Sequence, residues 1–362
     1  MTTKPEPHYA HGSVPKTAVL LCNLGTPDAP TTPALRRYLA QFLSDPRVVE
    51  IPKLAWALIL HGIILRVRPA KSAAKYATVW TQEGSPLKVW TEKQAKLLQG
   101  YLGERGHHLT VRYAMRYGSP AIGKTLDELR AEGVTRVLVL PAYPQYSGAT
   151  TASVIDDVAR WALQTRHLPE LRFINRYHDG PLYIAALADS VRRHWQLHGQ
   201  PDKLVMSFHG MPARTLALGD PYHCECQKTG RLLAEALNLK GAQYLVTFQS
   251  RFGKAKWLEP YTEPTLIKMA SEGGVKSVDL ICPGFSADCL ETMEEINQEA
   301  RAAFLQAGGE RFAYIPCLND DPAGMRALAS LAERHLQGWP TRDIEPSRAL
   351  QRELALAAGA ED

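Results

Sequence analysis

The stretch Lys203–Pro212 has the sequence KLVMSFHGMP, an apolar run that ends in one histidine followed by a Gly-Met-Pro turn. An unbroken apolar run of this length predicts a short buried strand over Lys203–Ser207. Open α/β sheets bind ligands beyond the carboxyl ends of their strands, which is where His209 would lie. The near-neutral pKa of histidine makes His209 a candidate functional residue, and the alternative is a structural histidine in a loop.

Similar apolar runs recur along the chain and alternate with segments of helical periodicity. The predicted strands are Thr17–Cys22, Leu109–Tyr113, Arg136–Leu140, Leu171–Asn175, Lys203–Ser207, Tyr244–Thr247, Ser277–Ile281 and Phe312–Ile315. The predicted helices include Thr32–Phe42, Thr91–Leu102, Leu126–Glu132, Thr150–Ala162, Lys228–Leu237, Glu263–Ala270, Leu290–Ala307 and Arg326–Leu336. This alternation predicts an α/β fold of two similar Rossmann-like domains, each a four-stranded parallel sheet flanked by helices, with an active-site cleft between them.

The predicted domain boundaries follow from a break near residue 177. An N-terminal domain is expected at residues 1–176 and a C-terminal domain with His209 at residues 177–320, while a helix within residues 321–340 joins the first domain. Residues 341–362 are expected to form a polar tail. The first residues lack the apolar segment of a signal peptide, which favours a reducing cytoplasmic location.

Composition limits the class of protein. The 362 residues are 45% hydrophobic and 22% charged, as expected for a soluble globular chain. The net charge of +5 is mild and no Lys/Arg-rich run is present, which argues against nucleic acid as a partner. The excess of positive charge suits an anionic small ligand or a membrane surface.

The longest apolar stretch is Leu54–Leu65, LAWALILHGIIL. As a helix it would measure ~18 Å, which is too short for the ~30 Å hydrocarbon core of a membrane. Two interpretations stay open, a buried or amphipathic helix and an exposed apolar lip. A lip would suit an apolar ligand or a membrane face, with Lys53, Arg66 and Arg68 as basic flanks.

The segment Pro283–Glu291 contains two carboxylates, Asp288 and Glu291, at the start of a predicted helix. One interpretation is structural, with Ser286 or Asp288 as the N-cap and Glu291 completing a capping box. In the other, both carboxylates face His209 across the cleft. A histidine with carboxylates could bind a divalent metal in transit and move protons.

The six cysteines lie at positions 22, 224, 226, 282, 289 and 317, which is not the pattern of a secreted disulfide framework. Cys224 and Cys226 could supply half of a four-ligand metal or iron-sulfur site, although reduced thiols are the default. The chain has no GxGxxG after its first strand, no GxxxxGK[ST] loop and no GxSxG motif. Nucleotide binding and serine hydrolysis therefore lack a sequence signal.

Taken together, several motifs resemble those of the ferrochelatase family in its bacterial form. They are CNLGTP at 22, EGSPLKVWT at 83, YPQYS at 143, SFHGMP at 207, GDPY at 219, TFQSRFG at 247 and GFSADCLET at 284. The resemblance runs from about Thr17 to about Leu336. It implies a class II chelatase-type fold and a lyase that inserts ferrous iron into protoporphyrin IX with release of two protons, the last step of haem biosynthesis.

The resemblance also implies roles for individual residues. His209 matches the catalytic base, Glu291 the opposing glutamate and Asp288 its acidic neighbour, with His209 and Glu291 as the metal ligands. The porphyrin pocket is expected to be lined by Asn23, Ser85, Arg116, Tyr117, Tyr143, Gln249, Ser250, Trp257 and Phe285. Arg116 is the candidate for a propionate contact, with a surface arginine as the alternative. Leu54–Leu65 matches the apolar lip that the family places against the membrane.

Two positions depart from the family pattern. Cys289 stands where several members have a second histidine, which leaves the iron ligands open. Gly148 stands where animal members have a cluster cysteine, so a [2Fe-2S] cluster is not expected, although Cys224 and Cys226 keep that question open. No cofactor beyond the substrate iron is required. Coproporphyrin or another metal as substrate, a non-catalytic tetrapyrrole carrier, and a monomer or a homodimer remain alternatives.

Overall fold

Two four-stranded parallel sheets follow one another along the chain, with helices between the strands. The computed structural model describes residues 4–7, 11–253, 255–272, 274–342 and 349–361. The prediction of an α/β fold with two similar Rossmann-like domains is confirmed, because the two sheets have equivalent strand orders.

The strands of each sheet run in the order second, first, third, fourth. The first sheet consists of β1 (Lys16–Gly25), β2 (Thr110–Tyr117), β3 (Val134–Pro141) and β4 (Glu170–Phe173). The second consists of β5 (Lys203–His209), β6 (Tyr244–Gln249), β7 (Ser277–Ile281) and β8 (Arg311–Ile315). In the first sheet β2 lies on one side of β1 and β3 on the other, and β6 and β7 lie in the same way on either side of β5. Such a switch of direction opens a crevice at the carboxyl ends of the central strands, and His209 ends β5.

The apolar run of β1 is buried on both faces of its sheet. Val19 and Leu21 pack into one core cluster, whereas Leu20 and Cys22 pack into another on the opposite face. This alternation follows from the two-residue period of a strand, and double burial explains why the run has no polar break. The first cluster also contains Met206 of β5, so the two domains share part of their core.

The helices that flank the sheets number α1 to α13 along the chain. They are α1 (Thr32–Leu43), α2 (Lys53–Ile59), α3 (Leu65–Val79), α4 (Pro86–Glu104), α5 (Ile122–Ala131), α6 (Ser153–Ala162), α7 (Pro181–His198), α8 (Arg214–Ala217), α9 (Tyr222–Ala236), α10 (Thr262–Ser271), α11 (Arg301–Gln306), α12 (Pro322–Leu336) and α13 (Ala349–Ala357). Three further segments are π-helical, namely Leu60–Ile64, Gly148–Ala152 and Glu291–Ala300. Such segments occur frequently at functional sites.

The apolar stretch at Leu54–Leu65 is the first half of a longer helix. It continues through the π-helical turn at Leu60–Ile64 into α3, which ends at Val79. The predicted helix of the apolar stretch ended at Leu65, whereas the structure continues it to Val79. In α3 only one side of the helix is buried, by residues such as Ala73 and Tyr76.

Helix α12 packs against both α4 and α7, which lie in the regions assigned to different domains. The division at residue 176 and the attachment of this helix to the N-terminal domain stay predictions. The predicted polar tail contains α13, none of whose residues is buried. Parts of the polar lead and tail, residues 1–3, 8–10, 343–348 and 362, lie outside the described residues. In the part of the chain that the structure describes, no helix is long and apolar enough to cross a membrane.

Candidate active site

His209 ends the central strand of the second sheet and is half-buried. Its Nδ1 lies 2.7 Å from the carbonyl oxygen of Gly210. A carbonyl can only accept, so Nδ1 is assigned the proton and Nε2 keeps its lone pair, which is the form of imidazole that serves as a base. Gly210 is required here because a Cβ at this position would lie 2.6 Å from the carbonyl oxygen of Gln249.

Gln249, at the end of β6, connects the neighbouring strands β5 and β6 to the π-helical segment Glu291–Ala300. Its Oε1 accepts a hydrogen bond from the Ser207 hydroxyl at 2.7 Å, and its Nε2 donates to the Glu291 carbonyl oxygen at 2.9 Å. The side chain of Gln249 therefore holds the first residue of the π-helical segment beside the end of β5. This is the contact by which the structure brings the region of His209 and Glu291 together.

Ser250 and Glu295 form the next layer of the site. The backbone N–H of Ser250 donates to Glu295 Oε1 at 2.6 Å, and its hydroxyl donates to the other carboxylate oxygen. Ser250 has a φ of 63°, a conformation that is uncommon outside glycine, so the backbone turns to present both donors to one carboxylate. Ser250 therefore orients the Glu295 carboxylate, and its hydroxyl group is not free to contact a ligand in the cleft.

Glu295 is a candidate functional residue that the sequence analysis missed. Burial raises the pKa of Glu295 and the charge of Glu291 adds to the rise, while the hydrogen bonds from Ser250 and the charge of His209 oppose it. Glu295 is in the same π-helical segment as Glu291, and its partner Ser250 directly follows Gln249, whose side chain donates to the Glu291 carbonyl oxygen. The four-residue spacing of Glu291 and Glu295 was the available signal, because residues so spaced share one face of a helix.

A cavity of about 160 Å³ lies beside Glu295. Its lining includes Ser250, Arg251, Glu263 and Glu295, together with residues of β6 and α10. Glu295 is therefore in contact both with the site and with a polar cavity behind it. A group in this position can pass protons or a cation between the cleft and the cavity.

Asp288 is fixed by hydrogen bonds to both of its carboxylate oxygens. Oδ1 accepts from the hydroxyl groups of Tyr314 at 2.5 Å and Thr292 at 2.9 Å, and Oδ2 accepts from Asn319 Nδ2 at 2.6 Å. The side chain is buried, with 6% of its surface exposed. The expected capping box with Glu291 is not formed. Asp288 instead connects the loop before the π-helical segment to the chain after β8.

Arg116 and Tyr117 belong to a buried polar group that we call the Asp45 cluster, made of Asp45, Arg116, Tyr117 and Ser153. Arg116 Nη2 lies 2.6 Å from Asp45 Oδ2, and its Nε donates to the Ser153 hydroxyl at 2.7 Å. The Tyr117 hydroxyl donates to Asp45 at 2.8 Å. Arg116 is only 6% exposed, so the expected alternative of a surface arginine is wrong. Its guanidinium is hydrogen-bonded within the first domain and is therefore not available to a propionate.

Asn23 and Ser85 also make internal contacts. Asn23 Nδ2 donates to the Thr91 hydroxyl at 2.9 Å, and the Thr26 hydroxyl donates to Ser85 Oγ at 2.7 Å. These bonds attach the end of β1 and the loop after it to the beginning of α4. The two residues therefore shape the wall of the first domain at the carboxyl end of its sheet.

Three aromatic residues among the expected lining come from separate loops. Phe285 lies with its ring centroid 6.5 Å from that of His209, and Trp257 is buried beside Phe252 with their centroids 4.8 Å apart. Tyr143 is half-buried, and its hydroxyl has no hydrogen-bond partner among the described residues. Burial raises the pKa of Tyr143, so its hydroxyl stays protonated.

Residues of the first domain contact carboxylates of the second domain. Burial is the main cause that raises the pKa of Tyr38 and Tyr76, and the charge of Glu291 raises both further. Lys75 of α3 forms ion pairs of 2.9 Å with Glu294 and Glu299 of the π-helical region. Glu291 therefore lies between the domains, facing tyrosines of the first.

Most of the apolar stretch Leu54–Leu65 is exposed as a lip, while Leu60 and Leu65 are buried in a core cluster, so the segment is an amphipathic helix with an exposed apolar face. Leu54 is 86% exposed, Leu58 78% and Ile63 59%, and no residue of α2 is buried. The guanidinium carbon of Arg68, one helical turn further along, lies 5.5 Å from the ring centroid of Phe252. The helix of the lip thus reaches the loop after β6 across the mouth of the cleft.

Cysteines do not form a metal site in the described residues. Cys224 is exposed and Cys226 is buried, because residues two apart in α9 lie on different sides of the helix. The two thiols therefore lie on different sides of α9 in this structure. Nowhere in the described ranges do three or more histidine, cysteine or acidic side chains form a group able to hold a metal ion.

Cys289 lies beside Glu291 and is buried. Burial raises the pKa of Cys289, and the neighbouring Glu291 raises it further. The group that Cys289 presents to the site is therefore a neutral thiol. A thiol of this kind is a weak hydrogen-bond donor.

The topology and the site define a chelatase-type α/β protein with an active-site cleft between its domains. SirB from Bacillus subtilis, solved with Fe3+, superposes with a TM-score of 0.53 at 12% identity, over 88% of this chain and 95% of that one. A multi-domain Deinococcus radiodurans protein, described as structurally similar to chelatases, gives a TM-score of 0.51 at 14% identity, over 95% of this chain and 59% of that one. At these identities the likeness concerns the fold alone.

The chain belongs to the ferrochelatase family, whose model matches residues 16–336. The ferrochelatase of Polaromonas sp. strain JS666 is 65% identical over 99% of this chain and 100% of its own length. That of Methylibium petroleiphilum is 66% identical over 97% of this chain and 96% of its own length. The family and the enzyme class indicated by the sequence motifs are confirmed.

Proposed function

We propose that this protein inserts ferrous iron into protoporphyrin IX, which yields protohaem and two protons. As a member of the ferrochelatase family it is an enzyme of porphyrin metal insertion in haem synthesis. The observation that most supports the proposal is the placement of His209 at the end of β5, next to the strand end from which Gln249 contacts Glu291 and Ser250 contacts Glu295.

The chemistry requires a base and an outlet for protons. Two pyrrole N–H groups each give up a proton as the metal bonds to the four porphyrin nitrogens, so metal charge replaces proton charge and no electron is transferred. His209 Nε2 accepts a proton from the macrocycle, and Glu291 and Glu295 take protons onward. The cavity beside Glu295 is the proposed exit to solvent. A positioned base of this kind contributes about 10²–10⁴ in rate.

Metal ions enter as substrate and are held briefly. His209 and Glu291 are the proposed ligands, a nitrogen and an oxygen donor that suit a divalent iron ion. Nε2 of His209 holds the iron only before transfer, and its lone pair accepts a pyrrole proton once the iron has passed to the macrocycle. Asp288 is already held in place, because both of its oxygens accept short hydrogen bonds from within the protein. We therefore assign Asp288 to positioning of the loop before Glu291, and the proposal needs no resident cofactor.

The substrate disc is bound by apolar and aromatic groups at the cleft. Tyr143, Trp257 and Phe285 are proposed to contact its faces, and the exposed lip at Leu54–Leu65 to cover its outer edge. Because the same lip is apolar and flanked by basic residues, we propose that the enzyme contacts the membrane surface from the cytoplasm. Since Arg116 is engaged with Asp45, Arg68 at the mouth is the proposed partner of a propionate.

The decisive experiment is anaerobic turnover with ferrous iron, followed by loss of porphyrin fluorescence. Protoporphyrin and coproporphyrin are compared at equal concentrations, with His209→Ala and Glu291→Gln beside the parent. His108→Ala and Glu310→Gln are matched controls, since both residues are exposed. Turnover of protoporphyrin that is lost in both site variants supports the proposal. Faster turnover of coproporphyrin would contradict the assignment of protoporphyrin as the substrate. Tight porphyrin binding without turnover would indicate a carrier.

A further inference from the structure

A second cavity, of about 320 Å³, lies at the junction of the two domains and does not include His209 or Glu291. It is formed by α12, the beginning of α7, Gln94 of α4 and the loops that contain Ser286 and Asn319. Most of its wall is apolar, including Leu318, Leu328 and Leu331. A mostly apolar cavity of this size, with few polar groups, is typical of a small-molecule site.

Three polar side chains of this cavity have an unused hydrogen-bonding atom. Tyr177, Gln94 and Ser286 all line the cavity, and each is buried, with 6%, 1% and 8% of its surface exposed. The Tyr177 hydroxyl, Gln94 Oε1 and the Ser286 hydroxyl have no hydrogen-bond partner among the described residues. Leaving a buried polar group unpaired costs about 1–3 kcal/mol, so these groups indicate a ligand in the cavity. The Tyr177 and Ser286 hydroxyl groups can donate to such a ligand, whereas Gln94 Oε1 can only accept and does not pair with a carboxylate.

All three groups line the cavity, and two of them, Gln94 and Ser286, are held next to each other. Gln94 Nε2 donates to the carbonyl oxygens of Ser286 and Asn319, both at 2.8 Å, which fixes its amide beside Ser286. The rings of Tyr177 and Tyr183 are in edge contact, with centroids 5.4 Å apart, and Tyr183 donates to the carbonyl of Pro283. The polar end of the cavity is thus built on the loop that leads to Asp288.

Two further features favour a negatively charged ligand group. Helix α7 begins at this cavity with Gly180 as its N-cap and no side chain capping it, and the helix dipole is positive there. Pro181 has no N–H, so the N–H groups of Leu182 and Tyr183 are the ones left without an intrahelical partner. Arg334 of α12 lies at the exposed rim and forms no ion pair with any described residue. Hydroxyl donors, free backbone N–H groups and an unpaired arginine together match a carboxylate.

We propose that this junction cavity binds a small carboxylic acid with an apolar tail. The carboxylate lies at the polar end, where it accepts from the Tyr177 and Ser286 hydroxyl groups, and the tail lies among the leucines of α12. Arg334 attracts the acid at the entrance. The site goes beyond the porphyrin chemistry, and binding is measured without turnover, so its result is independent of the proposed function.

The test uses octanoate as the probe and 1-octanol as a neutral molecule of equal length, titrated calorimetrically into the full chain without porphyrin or metal. Octanoate is expected to bind at least about tenfold more tightly than octanol, which corresponds to about 1.4 kcal/mol. Tyr177→Phe and Arg334→Gln should each weaken octanoate binding by about five- to tenfold. Ala327→Phe, which places a ring inside the cavity, should abolish it.

Arg326→Gln is the matched control, because Arg326 is exposed on the same helix but does not line the cavity. A second titration with protoporphyrin at saturation should leave the octanoate affinity unchanged. No octanoate binding, equal affinity for octanol, displacement by porphyrin, or full affinity in both Tyr177→Phe and Arg334→Gln would each overturn the inference. Tyr177→Phe removes a hydroxyl with no partner, so loss of folding does not limit this variant.

Discussion

Ser250 donates both its backbone N–H and its hydroxyl to the carboxylate of Glu295, with 2.6 Å between the Ser250 nitrogen and Glu295 Oε1. Both bonds favour the charged carboxylate, in opposition to burial, which is the larger effect and raises the pKa of Glu295. The balance leaves a carboxylate that can gain and lose a proton near the site. This is the property that a proton outlet requires.

Replacement of the hydroxyl tests this arrangement. Ser250→Ala removes one of the bonds that favour the charged form, so the pKa of Glu295 should rise further and turnover should fall by about tenfold near neutral pH. The acidic limb of the pH–rate profile should move to higher pH, which a loss of packing alone would not cause. Ser271→Ala is the control, since Ser271 lies on an exposed face of α10. An unshifted profile would remove Glu295 from the proton path.

The glycine after the histidine should not tolerate a side chain. In Gly210→Ala the new Cβ would lie 2.6 Å from the Gln249 carbonyl oxygen, so we expect unfolding free energy to fall by about 1–3 kcal/mol. Urea denaturation measures the change. Gly241→Ala is the control, because nothing lies within 4 Å of its added Cβ. Equal stability of the two variants would contradict the close contact at the end of β5.

The Asp45 cluster should make the fold sensitive to acid. Burial alone would raise the pKa of Asp45, but the hydrogen bonds of Ser153, Arg47 and Tyr117 and the charge of Arg116 outweigh it, and the pKa is lowered. The stabilisation is therefore fully present above the unfolded pKa of about 3.9 and is lost as the pH falls through the folded pKa.

At neutral pH, Asp45→Asn should cost about 3 kcal/mol of unfolding free energy, because it leaves Arg116 buried without its carboxylate. The difference from the parent should shrink in acid, where the parent also loses the charge. Denaturant midpoints at several pH values measure both effects. Asp28→Asn should cost less than about 1 kcal/mol, since Asp28 pairs with Arg37 on the surface. A constant difference at all pH values would contradict the assigned role of Asp45.

The lip should bind lipid through its exposed leucines. Leu54→Glu with Leu58→Glu should reduce sedimentation with anionic vesicles by more than about tenfold, because each leucine contributes up to about 1.5–3 kcal/mol when buried in an apolar phase. Leu197→Glu on α7 is the matched control, as Leu197 is 79% exposed and Leu58 78%. Equal loss in the control would assign vesicle binding to general hydrophobicity rather than to the lip.

Thiol labelling of the folded protein should modify a single cysteine. Cys224 is exposed and the other five cysteines are buried, so one equivalent of a thiol reagent should react rapidly and all six should react after unfolding. Cys224→Ser should abolish the rapid phase and Cys226→Ser should leave it intact. Protection of both thiols in the native protein would instead indicate a shared ligand.

The family and the two-domain topology were predictable because they depend on short-range patterns. Runs such as TAVLLC and KLVMSF mark strands buried on both faces, and their alternation with helical segments allows few topologies. The position of His209 followed from the same reasoning, since the carboxyl end of a central strand lies at a crevice in such sheets. The exposed lip was one of two interpretations that the pattern left open.

The partners of individual polar side chains were decided only by the tertiary structure. Arg116 is paired with Asp45, 71 positions away, and Asp288 with Asn319, 31 positions away, so neither contact is visible in a local motif. Cys224 and Cys226 share a motif but lie on different sides of α9. Burial and long-range hydrogen bonds determine what such groups can do, whereas the sequence by itself determined the strands, their order along the chain and the two-sheet fold.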